Sequence, residues 1–296
     1  MLSCFDAHCD TLTTGDLYHH LNLANEPFLR RGQIFAVCAE GALQRDLTFF
    51  NRAVSRLADL PVVLCRSSAE LTAAIDQGKT AAILGIEGGE CVGCDVGLLR
   101  EAYARGARVL GLTHNRFNGL TGSCREECGM GLTDRGRVFA AEVVRLGMIL
   151  DLSHISDRGA EELLSMPDAA VIASHSNARA VCGHARNLSD RLFVRLAERG
   201  GLCGLNLYAP FLAENGNASL EDVCAHVAHF LGLTPAAEDS LCLGADFDGC
   251  DQLPEGISTS ADLSWLYELF LRKNYSETFV KKLFFENLCA YLRRTL

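Results

Sequence analysis

The chain has 296 residues, 49% of them hydrophobic and 22% charged, with a formal net charge of −10. That apolar content excludes a disordered chain. The acidic balance, with no run of Lys or Arg, excludes a nucleic-acid backbone as partner.

The opening residues reach Asp6 with neither a basic stretch nor an apolar core of the kind a secretory signal carries. Nothing later approaches the roughly 20 apolar residues of a membrane span, so a cytoplasmic enzyme with no membrane partner is expected. The 14 cysteines, several of them inside apolar runs (Cys38, Cys65, Cys203, Cys242), read as reduced thiols that pack as small hydrophobes.

In chain order, short apolar runs alternate with longer amphipathic stretches, the pattern of parallel strands linked through helices. The first strand, 3–9, ends in Asp6-Ala7-His8-Cys9-Asp10, and the second covers 33–39. Helices over 46–58 and 69–77 follow, the latter opened by the capping box Ser67-Ser68-Ala69-Glu70. The third strand, 81–86, ends in Gly85-Ile86-Glu87-Gly88-Gly89, and the fourth, 109–113, in Leu112-Thr113-His114-Asn115. A helix over 135–146 leads to the fifth, 148–152, ending in Asp151-Leu152-Ser153-His154. A helix over 158–165 leads to the sixth, 171–174, ending in Ala173-Ser174-His175-Ser176-Asn177. After a helix at 190–199 come a seventh strand, 202–207, a helix at 220–231, and Thr234-Pro235, where a missing N–H costs least. The eighth strand, 241–245, ends in Gly244-Ala245-Asp246-Phe247-Asp248-Gly249, and helices at 261–272 and 277–294 complete the chain. Eight strands close a (β/α)8 TIM barrel of the α/β class, and with no linker or repeat the whole of 1–296 reads as one catalytic domain.

The active site of such a barrel lies at the carboxyl ends of the strands, where the capable side chains collect. His8 and Asp10, two apart on a strand, share a face and can chelate one ion. His154 and His175, on neighbouring strands, can converge on a second, and Glu87 has two oxygens with which to bridge both. Imidazole and carboxylate suit zinc at about 2.0–2.2 Å. Each piece alone reads more plainly as a capped turn or a satisfied core histidine. It is the joint occurrence at six of eight strand ends that favours a dinuclear site. His226 and His229, three apart on a helix, read as structural. His19 and His20 would line the pocket without ligating. Cys91, Cys94, Cys124 and Cys128 have spacings that a structural zinc site could use, against the plainer reading as ordinary thiols.

In this order the motifs Asp-Ala-His-Cys-Asp, Gly-Ile-Glu-Gly-Gly, Leu-Thr-His-Asn, Asp-Leu-Ser-His, Ser-His-Ser-Asn, Ala-Arg-Asn and Asp-Phe-Asp-Gly resemble the membrane dipeptidase (renal dipeptidase) family of zinc peptidases, from Asp6 to about Leu288. The resemblance implies a zinc-dependent dipeptidase with two Zn2+ per chain. His8 and Asp10 would ligate one ion, His154 and His175 the other, and Glu87 would bridge. It further implies that Arg186 holds the substrate's terminal carboxylate, that His114 contacts the scissile carbonyl oxygen, and that Asp246 is the acid/base partner of the bridging hydroxide. Tyr208 joins Arg186 and His114 among the substrate-binding residues. L-Xaa-D-Xaa dipeptides fall within the implied substrates, and a homodimer is the implied assembly.

Two departures stand out. Better-known animal members carry a secretory signal and a lipid-anchored carboxyl terminus that are not read here, so membrane attachment and extracellular disulfides do not carry over. Phe211 stands where some relatives are expected to have Tyr, so a hydroxyl contact to substrate is expected to be missing. Two zinc ions sharing a water would lower its pKa from about 15.7 to about 7, and a carboxylate clamp would limit substrates to dipeptides. The rival readings are another dinuclear amidohydrolase (deacylase or lactonase) and a non-catalytic metal-binding barrel. Metals bridged by a modified lysine are disfavoured, because Lys79 precedes the third strand and Glu87 ends it.

Overall fold

The computed structural model describes residues 2–14 and 28–296, so the expectation for His19 and His20 lies outside the described residues. The apolar runs become parallel strands β1 (Cys4–Cys9), β2 (Arg31–Cys38), β3 (Val62–Leu64), β4 (Thr80–Glu87), β5 (Ala107–Gly111), β6 (Ile149–Asp151), β7 (Val171–Ala173), β8 (Leu202–Leu205) and β9 (Leu241–Leu243). Neighbours follow the order β2-β1-β9-β8-β7-β6-β5-β4, and β2 pairs with β4 from Arg31↔Thr80 to Cys38↔Glu87, which closes eight strands into the expected barrel. The ninth strand, β3, flanks only the start of β4. Three half-buried residues are too short a run to announce it in the sequence.

Side chains alternate between two apolar environments. Ala81 and Ile83 of β4 pack with Phe5, Ala7, Ile34, Val109, Ile149, Ile172 and Leu202 inside the barrel, whereas Ala82, Leu84 and Ile86 pack with the surrounding helices. Continuing that period of two puts Gly85 and then Glu87 on the inner face, at the carboxyl end. Just beneath the site the interior is too narrow for side chains. A Cβ on Gly204 or on Gly244 would lie 1.9 Å from the Ser174 carbonyl oxygen.

The helices are α1 (Thr48–Ser55), α2 (Ser68–Asp76), α3 (Val96–Ala104), α4 (Asp134–Arg145), α5 (Asp157–Leu164), α6 (Asp190–Glu198), α7 (Ala209–Leu212), α8 (Leu220–Leu233), α9 (Leu263–Arg272), α10 (Glu277–Lys281) and α11 (Asn287–Thr295). Side-chain oxygens of Ser67, Asp95, Thr133, Ser156, Ser189 and Ser276 cap six of them. The capping box expected at Ser67 is only half formed, because the Glu70 carboxylate accepts from the Arg66 N–H at 2.6 Å instead of reaching back to Ser67. Pro235 opens a short 3-10 turn as expected.

The predicted final helix is interrupted by a π-turn, Lys282–Glu286, between α10 and α11. From it, Phe285, Leu288 and Leu292 enter the inner cluster, the Tyr291 hydroxyl donates to the Val171 carbonyl at 3.0 Å, and Asn287 donates to that of Leu241 at 2.8 Å. These are strand-start positions, so this segment seals the amino end of the barrel and leaves the opposite end for chemistry. All 14 cysteines are free thiols. No helix among the described residues is long and apolar enough to cross a membrane.

One surface network ties α3 to α4. Glu142 accepts from Arg145 Nε at 2.7 Å and from Arg100 Nε at 2.6 Å, and these bonds hold its carboxyl down at about 2. A folded-state pKa below the unfolded value stabilises above roughly pH 4.5, and that contribution fades as the carboxylate protonates. Glu142→Gln is therefore expected to lower Tm at neutral pH, with the gap to wild type shrinking below about pH 5 and nearly closed only by about pH 2 in thermal melts.

Candidate metal centre and active site

His8 lies near the end of β1, and Asp10 follows the strand. Between Asp6 and Cys9 the register against β2 shifts, re-aiming the strand where the site begins. Glu87 is the last residue of β4. His154 and His175 sit in the turns after β6 and β7, and Asp246 in the turn after β9. All six are buried. His154 (φ 70°) and Asp246 (φ 62°) adopt left-handed backbone, sparsely populated for residues with a Cβ.

These side chains form two clusters joined by one carboxylate. Glu87 Oε1 lies 2.8 Å from His154 Nε2 and 3.4 Å from His175 Nε2, while its Oε2 lies 3.6 Å from His8 Nε2. His8 Nε2 is in turn 3.4 Å from Asp10 Oδ2 and 3.9 Å from Asp246 Oδ1. The donor atoms of Glu87, His154 and His175 all lie within 4.8 Å of one another, as do those of His8, Asp10 and Asp246. The structure brings together the residues that the sequence grouped around each expected ion, and Asp246 joins His8 and Asp10.

A further layer fixes the tautomers. Asn115 Oδ1 lies 3.0 Å from His154 Nδ1 and accepts its proton, which leaves Nε2 a lone pair facing Glu87. Ser174 Oγ, donating to Asp151, lies 2.7 Å from His175 Nδ1 and 3.4 Å from His8 Nδ1, so both rings likewise direct Nε2 inward. Asn206 Nδ2 donates to Asp246 Oδ2 at 2.9 Å, and Asp6 accepts from the backbone N–H groups of His8 and Ala245. Asn115, Asp151, Ser174 and Asn206 stand inside or beside motifs visible in the sequence. Nothing in the one-dimensional pattern says which ligand each supports. Removing the Asn115 contact with Asn115→Leu should weaken zinc affinity about 10- to 100-fold, measured by competition with a chromophoric chelator.

The donor set fits a pair of dications. His8 Nε2 and Asp10 Oδ1 are buried with no hydrogen-bond partner, and the Nε2 atoms of His154 and His175 face each other at 3.0 Å. Burial pushes Asp10 up to about 7, helped by the charge of Glu87, and pushes Asp246 up to about 6. Glu87 is also pushed up by burial, but the positive charge of His8 and the close imidazoles of His154 and His175 outweigh this and hold it well below the usual carboxylate range. Burial and neighbouring positive charge keep His154 and His175 well below the ordinary imidazole value, in the neutral form a metal needs. Three carboxylates in one buried space need positive charge, and three imidazole and carboxylate oxygen donors suit zinc.

Above the clusters opens a cavity of about 420 Å³ lined by His114, Arg186, Tyr208 and Phe211 among others. Arg186 is buried. Its Nη2 donates to the His175 carbonyl at 3.4 Å, its guanidinium lies 5.5 Å from the centre of the Phe211 ring, and its Nε has no partner. No carboxylate pairs with it among the described residues. Phe211, where a hydroxyl was expected to be missing, thus supplies an aromatic face to the cation and meets Tyr208 edge-on at 4.7 Å. Burial and the neighbouring Asp251 push the Tyr208 hydroxyl above its ordinary value. Burial lowers His114 below the ordinary imidazole value, and its Nε2 lies 3.1 Å from Asn115 Nδ2.

The four loop cysteines do not assemble. Cys91 Sγ bonds to the Val37 carbonyl, Cys94 Sγ to that of Asn118 and Cys128 Sγ to that of Cys124, so three of the four thiols are satisfied locally, as ordinary thiols would be. His226 is structural, as expected: Nδ1 accepts from the Ala178 N–H and Nε2 donates to the Leu212 carbonyl. His229 pairs with Asp190. Lys79 precedes β4, at the end of the strand opposite the site.

Comparison with known proteins agrees with this geometry. The family described as membrane dipeptidase (peptidase family M19) matches residues 7–295. An uncharacterized dipeptidase of Schizosaccharomyces pombe is 36% identical over 206 residues, 67% of this chain and 49% of the yeast protein, so the chain spans about half the length of that relative. A metallo peptidase of Rhodobacter sphaeroides, solved with a phosphinate mimic of the dipeptide L-Ala-D-Ala, superposes with a TM-score of 0.86 at 28% identity, covering 100% of this chain and 99% of that one. A solved metallo peptidase of family M19, dipeptidase AC, gives a TM-score of 0.86 at 29% identity over 99% and 98% of the two chains.

Proposed function

Since the chain belongs to the membrane dipeptidase family, peptidase family M19, we propose that it is a dipeptidase dependent on two zinc ions, with L-Xaa-D-Xaa dipeptides among its substrates. The observation that carries this reading is a single cavity holding both a Glu87 carboxylate shared between two ligand clusters and a buried Arg186 with an unpartnered Nε. The Rhodobacter relative's dipeptide mimic supports the substrate class.

His8, Asp10, Glu87, His154 and His175 would hold the ions, which when bound supply Lewis acidity and a water acidic enough to attack at neutral pH. The remaining groups act on the substrate directly. Arg186 grips the terminal carboxylate through charge-assisted hydrogen bonds. A free carboxylate must then sit one residue beyond the cut bond, which admits dipeptides and turns away longer chains. His114, held neutral, donates an N–H to the carbonyl oxygen as negative charge builds there. Asp246, steadied by Asn206, accepts the attacking water's proton and delivers it to the departing amine. Tyr208 lines the wall beside them.

A panel of dipeptides in both stereochemistries, offered to zinc-loaded and chelator-stripped protein, tests the reading. Expected is turnover by the zinc-loaded form alone, lost when the substrate's carboxylate is amidated. Equal cleavage of amidated substrates would instead favour a deacylase-like amidohydrolase, and no turnover of any dipeptide would leave a non-catalytic barrel.

A further inference from the structure

We infer that Arg125 is a specificity-determining residue that reads a second carboxylate, on the side chain of the substrate's carboxyl-terminal residue, so that the preferred dipeptides end in an acidic amino acid. The inference rests on the dipeptidase reading and on the terminal carboxylate binding Arg186.

Arg125 lines the same cavity as Arg186, and its guanidinium has no hydrogen-bond or ion-pair partner among the described residues. The segment that carries it is firmly placed. Ser123 Oγ accepts from the N–H groups of Arg125 and Glu126 and donates to the Asn115 carbonyl, and the Cys124 N–H donates to the carbonyl of His154 itself. The neighbouring acid is already engaged, since Glu126 accepts from the Phe117 N–H at 2.7 Å.

Two arginines, the buried Arg186 and the exposed Arg125, therefore line one cavity. His114, Cys124 and His184 each feel the charge of both Arg125 and Arg186, which puts the two cations on the same side. None of the acids that line the cavity pairs with Arg125 among the described residues, and Asp248 accepts from Thr11 Oγ at 2.5 Å. Like charges held together repel, and a ligand bearing two carboxylates relieves that repulsion best. In a dipeptide bound through its terminal carboxylate, the side chain of the same residue leaves from the adjacent carbon. Its carboxylate thus falls on the cationic side, whereas the amino-terminal residue extends toward the acidic groups, which would repel an acidic side chain there.

The test compares isosteres within each protein, so that a general loss of activity cancels. For zinc-loaded wild type, kcat/KM for Ala-Asp is expected to exceed that for Ala-Asn by about tenfold, the worth of one charge-assisted hydrogen bond, using whichever stereochemistry is turned over. The ratio should fall to near one in Arg125→Ala, drop below one in Arg125→Glu, and be largely retained in Arg125→Lys. A wild-type ratio near one, or a high ratio that survives Arg125→Ala, overturns the inference while leaving the dipeptidase reading intact. Failure of every dipeptide to react overturns both.

Discussion

Glu87→Gln is expected to lower kcat/KM by about a thousandfold or more and to reduce bound zinc to one ion or fewer per chain. The carboxylate offers an oxygen to each ligand cluster, Oε1 toward His154 and His175 and Oε2 toward His8. An amide of the same shape keeps one acceptor and turns a donor N–H2 toward the other cluster, where a cation cannot use it. The change also removes a negative charge from a centre that must balance two dications. Losing about 4 kcal/mol of transition-state stabilisation corresponds to that thousandfold. Metal analysis after extensive dialysis, run beside the kinetics, separates loss of the ion from loss of chemistry. A variant that retains two zincs and full turnover would remove Glu87 from the bridging position.

Arg186→Met should act differently, raising KM for dipeptides about a hundredfold while zinc content stays at the wild-type level. Methionine keeps much of the buried volume against Phe211 but supplies no donor. The expected loss of about 3 kcal/mol is that of a hydrogen bond to a charged group, taken at the strong end for a pair largely shielded from water. Carboxyl-amidated dipeptides provide the internal control, since wild type should discriminate strongly against them and the variant hardly at all. Kinetics unchanged from wild type would mean that the substrate carboxylate is held elsewhere.

The barrel and the side chains gathered at its carboxyl end were legible because they depend on local pattern. Alternation along β4 already points Ala81, Ile83, Gly85 and Glu87 to one face, and a histidine or carboxylate at one strand end after another is a repeated signal that chance rarely reproduces. Contacts that depend on pairing distant loops were not legible. Asn115 serves His154, 39 residues away, and Asn206 serves Asp246, 40 residues away, across neighbouring strand ends. The left-handed turns at His154 and Asp246 carry no glycine to mark them. The four loop cysteines show how little spacing alone decides, since it allowed a tetrahedron while the plainer reading as ordinary thiols fits the carbonyls that take up Cys91, Cys94 and Cys128.

The two halves of the centre differ in how the chain assembles them. Glu87, His154 and His175 come from a contiguous arc of the barrel, β4 to β7, whereas His8 and Asp10 meet Asp246 only where β1 docks beside β9. That seam joins segments more than 230 residues apart, so forming it carries a large loss of chain entropy that little nearby sequence offsets. A cation seated among His8, Asp10 and Asp246 would act as a clasp across the joint, binding the closed barrel but not the open chain and thereby favouring closure by mass action.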